Sequence, residues 1–274
     1  MSIPYKKILV VGATSGIGRA LAEKFISQGS HVIVSGRRQE NIDAFISEHG
    51  KYKASGTTFD VTNLSGIKSW AEEVHKQHPD LDFVVLNSGI QRGFDFSKPE
   101  TVDLSLVETE FTTNYLSYVY MAMAFLPILE ERSKQSKAAI ALTTSGLALV
   151  PLLRCPNYCA SKAALHHWIL CLRQQLLDRG SSVKCIELLP PAVQTELHDA
   201  KHQPDIKDGG SIGMPLDEFI ESTWSQLTEG KEQVPVGTSA KAYEEDGFET
   251  KRQATFRHMT EMMKKGGGPL GGKN

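Results

Sequence analysis

The order of apolar and polar positions along the chain predicts strands and helices in strict alternation. "KKILVV" (6–11) is an apolar run of strand length. In "GIGRALAEKFISQGS" (16–30) the apolar residues Ile17, Leu21 and Phe25 recur every four positions and Gly29 ends the pattern, which predicts a helix. The same step repeats with "HVIVSG" (31–36) and "QENIDAFISEHG" (39–50), and again with "KASGTTFDV" (53–61) and "LSGIKSWAEEVHKQH" (64–78). It continues with "LDFVVLN" (81–87) and one long helical region from Thr101 to Glu131, then with "KAAIALTTS" (137–145) and a helix after Asn157, and reaches "SSVKCIELLPP" (181–191). Strand–helix alternation of this kind predicts an α/β fold: a doubly wound parallel sheet of Rossmann-like form, with helices on both faces in three layers. After Pro191 the rhythm changes. Residues 192–232 are polar and rich in Gly and Pro, with one helix expected in "PLDEFIESTWSQL" (215–227), and they read as a lid. "EQVPVG" (232–237) is a last strand, and its Pro235 suits an edge position. The expectation is a single domain over 1–238 with a lid at 192–232. A C-terminal extension over 239–274 is expected to be partly disordered, because it ends in the Gly-rich "KKGGGPLGGKN".

Composition narrows this picture. With 40% hydrophobic and 23% charged residues in 274, the chain is long enough and apolar enough for one large globular domain. A formal net charge of −2 and no basic stripe argue against a nucleic-acid partner. "TTNYLSYVYMAMAFLPIL" (112–129) approaches membrane-spanning length, yet Asn114, Pro127 and scattered hydroxyls make it a buried core helix. No membrane partner is expected, and neither is a signal peptide. Cys155, Cys159, Cys171 and Cys185 form no C-x-x-C pair. They read as buried free thiols of a cytoplasmic protein.

"VVGATSGIG" (10–18) falls where the first strand becomes the first helix. Gly12, Gly16 and Gly18 allow a sharp turn and close approach of a ligand, and the helix N-terminus favours an anion such as a pyrophosphate. The spacing is G-x-x-x-G-x-G, distinct from the common G-x-G-x-x-G. The second strand ends in "SGRR". Arg37 and Arg38 stand where a carboxylate would otherwise receive a ribose 2′-hydroxyl, and they suit a 2′-phosphate. The cofactor expectation is therefore NADP(H). "NYCASKAALHHW" (157–168) sets Tyr158 and Lys162 one helical turn apart, and a nearby cation would favour phenolate and make the tyrosine a usable acid/base.

These motifs together resemble the short-chain dehydrogenase/reductase family over residues 6–237. "GATSGIG" is similar to the family's Gly-rich turn, Asp60-Val61 to its adenine-holding pair, and "NSG" (87–89) to its Asn-Asn-Ala-Gly segment, with Ser88 for alanine. Asn114, Ser145, Tyr158 and Lys162 fall where the family has its catalytic tetrad, and "PPAVQTE" (190–196) is similar to its Pro-Gly-x-x-x-Thr segment. The resemblance implies hydride transfer between a nicotinamide and a carbonyl or alcohol, with Tyr158 as acid/base and Ser145 as hydrogen-bond donor. Lys162 would lower the tyrosine pKa and hold the nicotinamide ribose, and Asn114 would hold a water beyond Lys162. Cofactor contacts are implied for Gly12, Ser15, Gly16, Ile17, Gly18, Arg37, Arg38, Asp60, Val61, Asn87, Gly89, Tyr158, Lys162, Val193 and Thr195. Val11 replaces a threonine of the first motif and Pro191 a glycine of the last.

The loop "GLALVPLLRCPN" (146–157) is unusually apolar and predicts a lipophilic small-molecule substrate, with Leu147, Leu152 and Leu153 as walls. Arg154 either holds an acidic substituent or reaches solvent. The apolar helices around 115–129 and 158–170 point to a homodimer or homotetramer. His198 and His202 have metal-ligand spacing but no evident third ligand, and no metal is expected. His166-His167 read as a helix–helix contact. Two alternatives stay open: a non-catalytic NADP-binding redox sensor, and a dehydratase- or cyclase-like enzyme on the same scaffold.

Overall fold

The protein is described by a computed structural model covering residues 2–200, 203 and 206–265. Seven strands form one parallel sheet: β1 (Lys7–Val11), β2 (His31–Gly36), β3 (Ala54–Thr58), β4 (Phe83–Leu86), β5 (Ala139–Thr143), β6 (Lys184–Leu189) and β7 (Gln233–Pro235). Their order across the sheet is β3-β2-β1-β4-β5-β6-β7. The helices are α1 (Gly16–Ser27), α2 (Gln39–His49), α3 (Ile67–Gln77), α4 (Leu104–Phe111), α5 (Ser117–Ser133), α6 (Pro156–Asp178), α7 (Leu216–Thr228) and α8 (Phe248–Lys265).

Both faces of the sheet are covered, so the strands are apolar throughout and their side chains divide by parity. Along β1, Ile8 and Val10 join one core with Phe25 of α1, Phe45 of α2 and Phe219 and Trp224 of α7. Leu9 and Val11 join the other, with Trp70 of α3, Phe125 of α5 and Leu165 and Ile169 of α6. The chain reverses its direction of travel across the sheet between β1 and β4. A crevice opens at the C-terminal ends of those two strands, the usual ligand position in such sheets. Pro235 is on edge strand β7 and pairs with Leu189, as its missing N–H requires.

Four expectations change in the folded chain. The helical region 101–131 is interrupted: after α4, residues Thr112–Leu116 form a π-helical turn that passes directly into α5. A π-turn displaces the helix surface by one residue, and here it carries the buried Asn114. The segment 192–232 is not uniform. Val193 and Met214 are joined by a β-bridge, whereas α7 buries Phe219, Ile220, Thr223, Trp224 and Leu227 and is part of the core. The extension after 238 contains a 3₁₀ stretch, Gly237–Tyr243, and the 18-residue helix α8. Finally, Cys171 is exposed on α6 while the other three thiols are buried, and all four are free. His202, residues 204–205 and the Gly-rich run from 266 onward lie outside the described residues. Among the described residues, no helix is long and apolar enough to cross a membrane.

Candidate active site

A single cleft of about 1750 Å³ runs over the ends of β1, β4 and β5, and most of the residues singled out in the sequence line it. At one end is the turn between β1 and α1. Gly12 has φ +77°, and a Cβ there would sit 2.8 Å from the Ser88 backbone nitrogen. Gly16 has φ +52°, and its Cβ would lie 3.3 Å from Cβ of Thr195. Both positions need glycine's freedom at positive φ; Gly12 lets the Ser88 backbone come close, and Gly16 the Thr195 side chain. Helix α1 starts at Ser15 with no side-chain cap and no acidic residue in its first turn, so its free amides face the cleft with an uncompensated positive end. Ile17 lines the same wall.

Gly18 departs from its expected role, because it does not line the cleft. It packs underneath, where a Cβ would stand 2.1 Å from the Gly12 carbonyl oxygen and 2.7 Å from Nδ2 of Asn87. Asn87 ties the same spot, donating to the Gly12 carbonyl at 3.4 Å. Arg37 and Arg38 are exposed at the rim beyond β2, with Asp60, Val61 and Thr62 on the neighbouring wall. The Asp60 carboxylate accepts from the backbone N–H and hydroxyl of Thr62, at 3.0 and 2.8 Å. Gly89, Val193 and Thr195 complete this half.

The other half is built on β5 and α6. Ser145 follows β5 in extended conformation and caps a 3₁₀ turn, its oxygen accepting from the Leu147 N–H at 3.1 Å, which leaves its own O–H free to donate. Tyr158 and Lys162 project from the first turns of α6 into the cleft, both nearly inaccessible. Lys162 Nζ donates to the Thr143 carbonyl at 2.9 Å and lies 4.9 Å from the ring centre of Tyr118 and 5.9 Å from that of Tyr158. Tyr118, which the sequence reading missed, donates its hydroxyl to the Ser88 carbonyl at 2.6 Å and so ties α5 to the loop after β4. Its signal was the four-residue step from Asn114.

Asn114 is fully buried and does not line the cleft. Its Oδ1 accepts from the Ile90 N–H at 3.0 Å, and its Nδ2 donates to the Ile90 carbonyl at 2.8 Å and to Ser161 Oγ at 3.2 Å. It clamps the loop after β4 onto α6 and stays close to the lysine: a side chain at Gly89 would be within 4 Å of both Asn114 Oδ1 and Lys162 Nζ.

The electrostatics also depart from expectation. Burial raises the Tyr158 phenol well above its ordinary value, a hydrogen bond with Ser145 pulls against that rise, and Cys155, Cys159 and Glu110 add to it. The neighbouring Lys162 is itself taken out of water. Burial lowers the ammonium itself to about 7, against a smaller upward pull from Glu110. Two ionisable groups removed from water together each lean toward the neutral form. The phenol is therefore a proton donor near neutral pH. The lysine, with one backbone acceptor among the described residues, keeps N–H groups for a further partner.

Beyond Tyr158 the cleft is lined by Leu106, Leu147, Leu149, Val150, Leu152 and Phe248. Leu153 corrects an expectation: it is 94% exposed and does not line this cleft, because the loop turns it outward while Leu147 packs on Cys155, Tyr158 and Cys159. Arg154 lines the cleft and donates to Gln203 Oε1. His198 is buried, its Nδ1 3.3 Å from Gln203 Nε2.

The short chain dehydrogenase family model matches residues 6–205. The chain is 34% identical over 235 residues to the uncharacterized oxidoreductase DltE of Bacillus subtilis (strain 168), covering 85% of this chain and 89% of that one. Among solved structures, the closed form of a serine dehydrogenase complexed with NADP+ superposes with a TM-score of 0.70 at 27% identity, covering 81% of this chain and 89% of that one. A short chain dehydrogenase/reductase from Burkholderia phymatum in complex with NAD has the same fold, with a TM-score of 0.74 at 20% identity over 85% of this chain and 89% of that one.

Proposed function

The chain belongs to the short-chain dehydrogenase family of oxidoreductases, and on that premise we propose an NADP(H)-dependent enzyme that acts on a carbonyl or secondary alcohol carrying an apolar group. The observation that carries this reading is one cleft lined by Ser145, Tyr158 and Lys162 at one end and by the glycine turn and two arginines at the other. The cradle fits a dinucleotide. Two glycines there have positive φ where a side chain would meet Ser88 or Thr195, and an uncapped helix end faces the same space. Gly12, Ser15, Gly16 and Ile17 would hold the pyrophosphate, and Asp60 and Val61 the adenine. Asn87, Gly89, Lys162, Val193 and Thr195 would hold the nicotinamide half. When bound, the nicotinamide supplies or takes up the hydride.

The chain's own residues manage the proton and the geometry. Tyr158, protonated near neutral pH, is suited to give its proton to a carbonyl oxygen as negative charge grows there. Ser145 adds a hydrogen bond to the same oxygen, since its O–H is not used by the Leu147 amide. Lys162, fixed by the Thr143 carbonyl, would hold the ribose and, when charged, could replace the proton that Tyr158 gives away. Asn114 keeps the loop after β4 against α6.

Two measurements test the finer parts. NADPH oxidation is followed with a panel of aryl and alkyl ketones and aldehydes beside small carboxylated ones; turnover confined to the small charged compounds would remove the apolar substrate. The double variant Arg37→Ala/Arg38→Ala is expected to raise the Kd for NADPH by about 10–100-fold, the range of one or two lost charge-assisted hydrogen bonds, with NADH affinity held within about twofold. An unchanged NADPH/NADH ratio in fluorescence titration would take both arginines out of cofactor selection.

A further inference from the structure

Helix α6 carries a third polar residue on the stripe of Tyr158 and Lys162. His166 lies one turn past the lysine and is completely buried. Its Nδ1 is 2.7 Å from Oε1 of Glu187 on β6, and its Nε2 is 3.1 Å from Oε1 of Glu249 in the first turn of α8. Both carboxylates are themselves fully buried. A neutral imidazole has one donor and could satisfy only one of them, whereas the imidazolium has two.

The cluster continues on both sides. Toward the active site, Glu187 Oε1 also accepts from the Thr144 hydroxyl at 2.7 Å, and Thr144 directly precedes Ser145. Toward the C-terminus, Glu249 accepts from Gln253 Nε2 at 2.6 Å and pairs with Arg252 Nη2 at 2.7 Å, while Arg252 also reaches the His167 ring. Tyr243 presents a buried hydroxyl whose pKa is raised by burial and then by Glu187 and Glu249. Two carboxylates against His166 and Arg252 balance only if the histidine is charged. Burial opposes that charge, but the attraction and hydrogen bonds of Glu187 and Glu249 outweigh it and hold His166 at about 9. Glu249 is lowered: burial raises it, but hydrogen bonds from His166 and Gln253 and the charges of His166 and Arg252 prevail.

Apart from a half-exposed ion pair between Lys264 and Asp178 of α6 at its far end, α8 has little else to hold it. Glu249 and Gln253 are its only buried residues, and Met259, Met262 and Met263 are exposed. Yet the chain leading into α8 forms part of the cleft wall through Thr238, Ser239, Lys241, Ala242 and Phe248. A polar anchor inside the protein therefore sets where that wall stands.

We propose that His166 is a positioning residue for the reaction: as an imidazolium between Glu187 and Glu249 it fastens the C-terminal helix to the Tyr158 helix and holds Thr144, and through it Ser145, at the reacting end of the cleft. This rests on the oxidoreductase reading above. Removing one member leaves a buried charge without its partner, which is strongly unfavourable, so the effect spreads to both the wall and Ser145.

The test uses the full chain, wild type beside His166→Gln, Glu249→Gln and Tyr158→Phe. Nitrogen-15 NMR of the histidine rings at pH 8, where an ordinary histidine is neutral, is expected to find one ring carrying two protons, absent in His166→Gln; a neutral ring there overturns the proposal. Hydrogen exchange across 248–265 is expected to quicken at least tenfold in both His166→Gln and Glu249→Gln, with β1, β4 and β5 as protected as in wild type. With NADPH and 4-nitrobenzaldehyde as the carbonyl probe, kcat per NADPH-binding site should fall tenfold or more in His166→Gln, and Glu249→Gln should raise KM more than it lowers kcat. A purely structural role would lower the number of binding sites but leave kcat per site at the wild-type value, and that result also overturns the proposal. If His166→Gln does not fold, Glu249→Gln carries the kinetic and exchange arms. Failure of the oxidoreductase reading is recognised separately, by Tyr158→Phe turning over like wild type, and the NMR and exchange arms stand without turnover.

The same cluster has a pH signature. A histidine raised from 6.5 to about 9 contributes stability that is fully present below pH 6.5 and is lost as pH rises through about 9. Lys162, lowered from 10.5 to about 7, acts in the opposite sense over that range. The expected result is therefore a difference: the Tm advantage of wild type over His166→Gln is largest near pH 6 and shrinks toward pH 10. A constant difference would show that folding does not shift the His166 pKa, and so that the two carboxylates do not hold its charge.

Discussion

Tyr158→Phe is expected to lower kcat for NADPH-dependent carbonyl reduction by about 10²–10⁴-fold, the range typical of a positioned general acid. The substitution keeps the ring that packs beside Leu147, Cys155 and Cys159 and removes only the hydroxyl. The fold should hold, since a buried phenol loses little by becoming a phenyl ring when its partner, Ser145, remains in a wet cleft. NADPH affinity should stay within a few-fold, because the phosphate end and Lys162 are intact. Steady-state kinetics with a fluorescence titration of NADPH separate the two quantities. A Tyr158→Phe enzyme at the wild-type rate would end the acid/base assignment and return the redox-sensor and non-redox alternatives to the front.

Gly18→Ala should be nearly as damaging, by a different route. The added methyl would stand 2.1 Å from the Gly12 carbonyl oxygen and 2.9 Å from its carbon, both backbone atoms that cannot swing aside. To admit it, the first turn of α1 must move off the glycine loop proposed to hold the pyrophosphate. Overpacking of this kind costs about 1–3 kcal/mol, and the displaced amides should weaken NADPH binding by tenfold or more. Gly29 is a useful control. It also has positive φ, but nothing lies within 4 Å of a Cβ there, so Gly29→Ala should lose some stability from backbone strain and bind NADPH as wild type does. Thermal melts and NADPH titration of both variants give the comparison. Wild-type affinity in Gly18→Ala would mean that the turn does not depend on that close contact.

The Tyr158 helix was legible because its pattern is local. Tyr158 and Lys162 share a helix face by spacing alone, and the glycines of the first turn announce themselves by lying between an apolar run and a helical one. The pKa directions were not legible. Spacing says that an ammonium lies near a phenol, but how much water each keeps depends on Tyr118, Glu110 and the two cysteines that close around them. Asn114 shows the same limit. Its position was readable, but its engagement with Ile90 and Ser161 follows from a π-turn that no periodicity in 101–131 marked. Leu153 was misjudged because an apolar loop residue can face either way, and only the path of the loop decides which.

By itself, then, the sequence determined the sheet, the glycine turn and the stripe of Tyr158 and Lys162, because each rests on interactions among neighbours in the chain: short apolar runs and near-four-residue apolar repeats, glycine at turns, one helical turn between partners. The tertiary structure alone decided which groups lost their water and which distant charges met. The apolar residues of the C-terminal helix are not buried, and what holds it is Glu249 on His166, 83 positions away. Glu187 within "CIELL" was the one visible sign, a charge in an otherwise apolar strand that had to have a partner somewhere. Where that partner lies depends on burial and long-range pairing, and those exist only once the chain has folded.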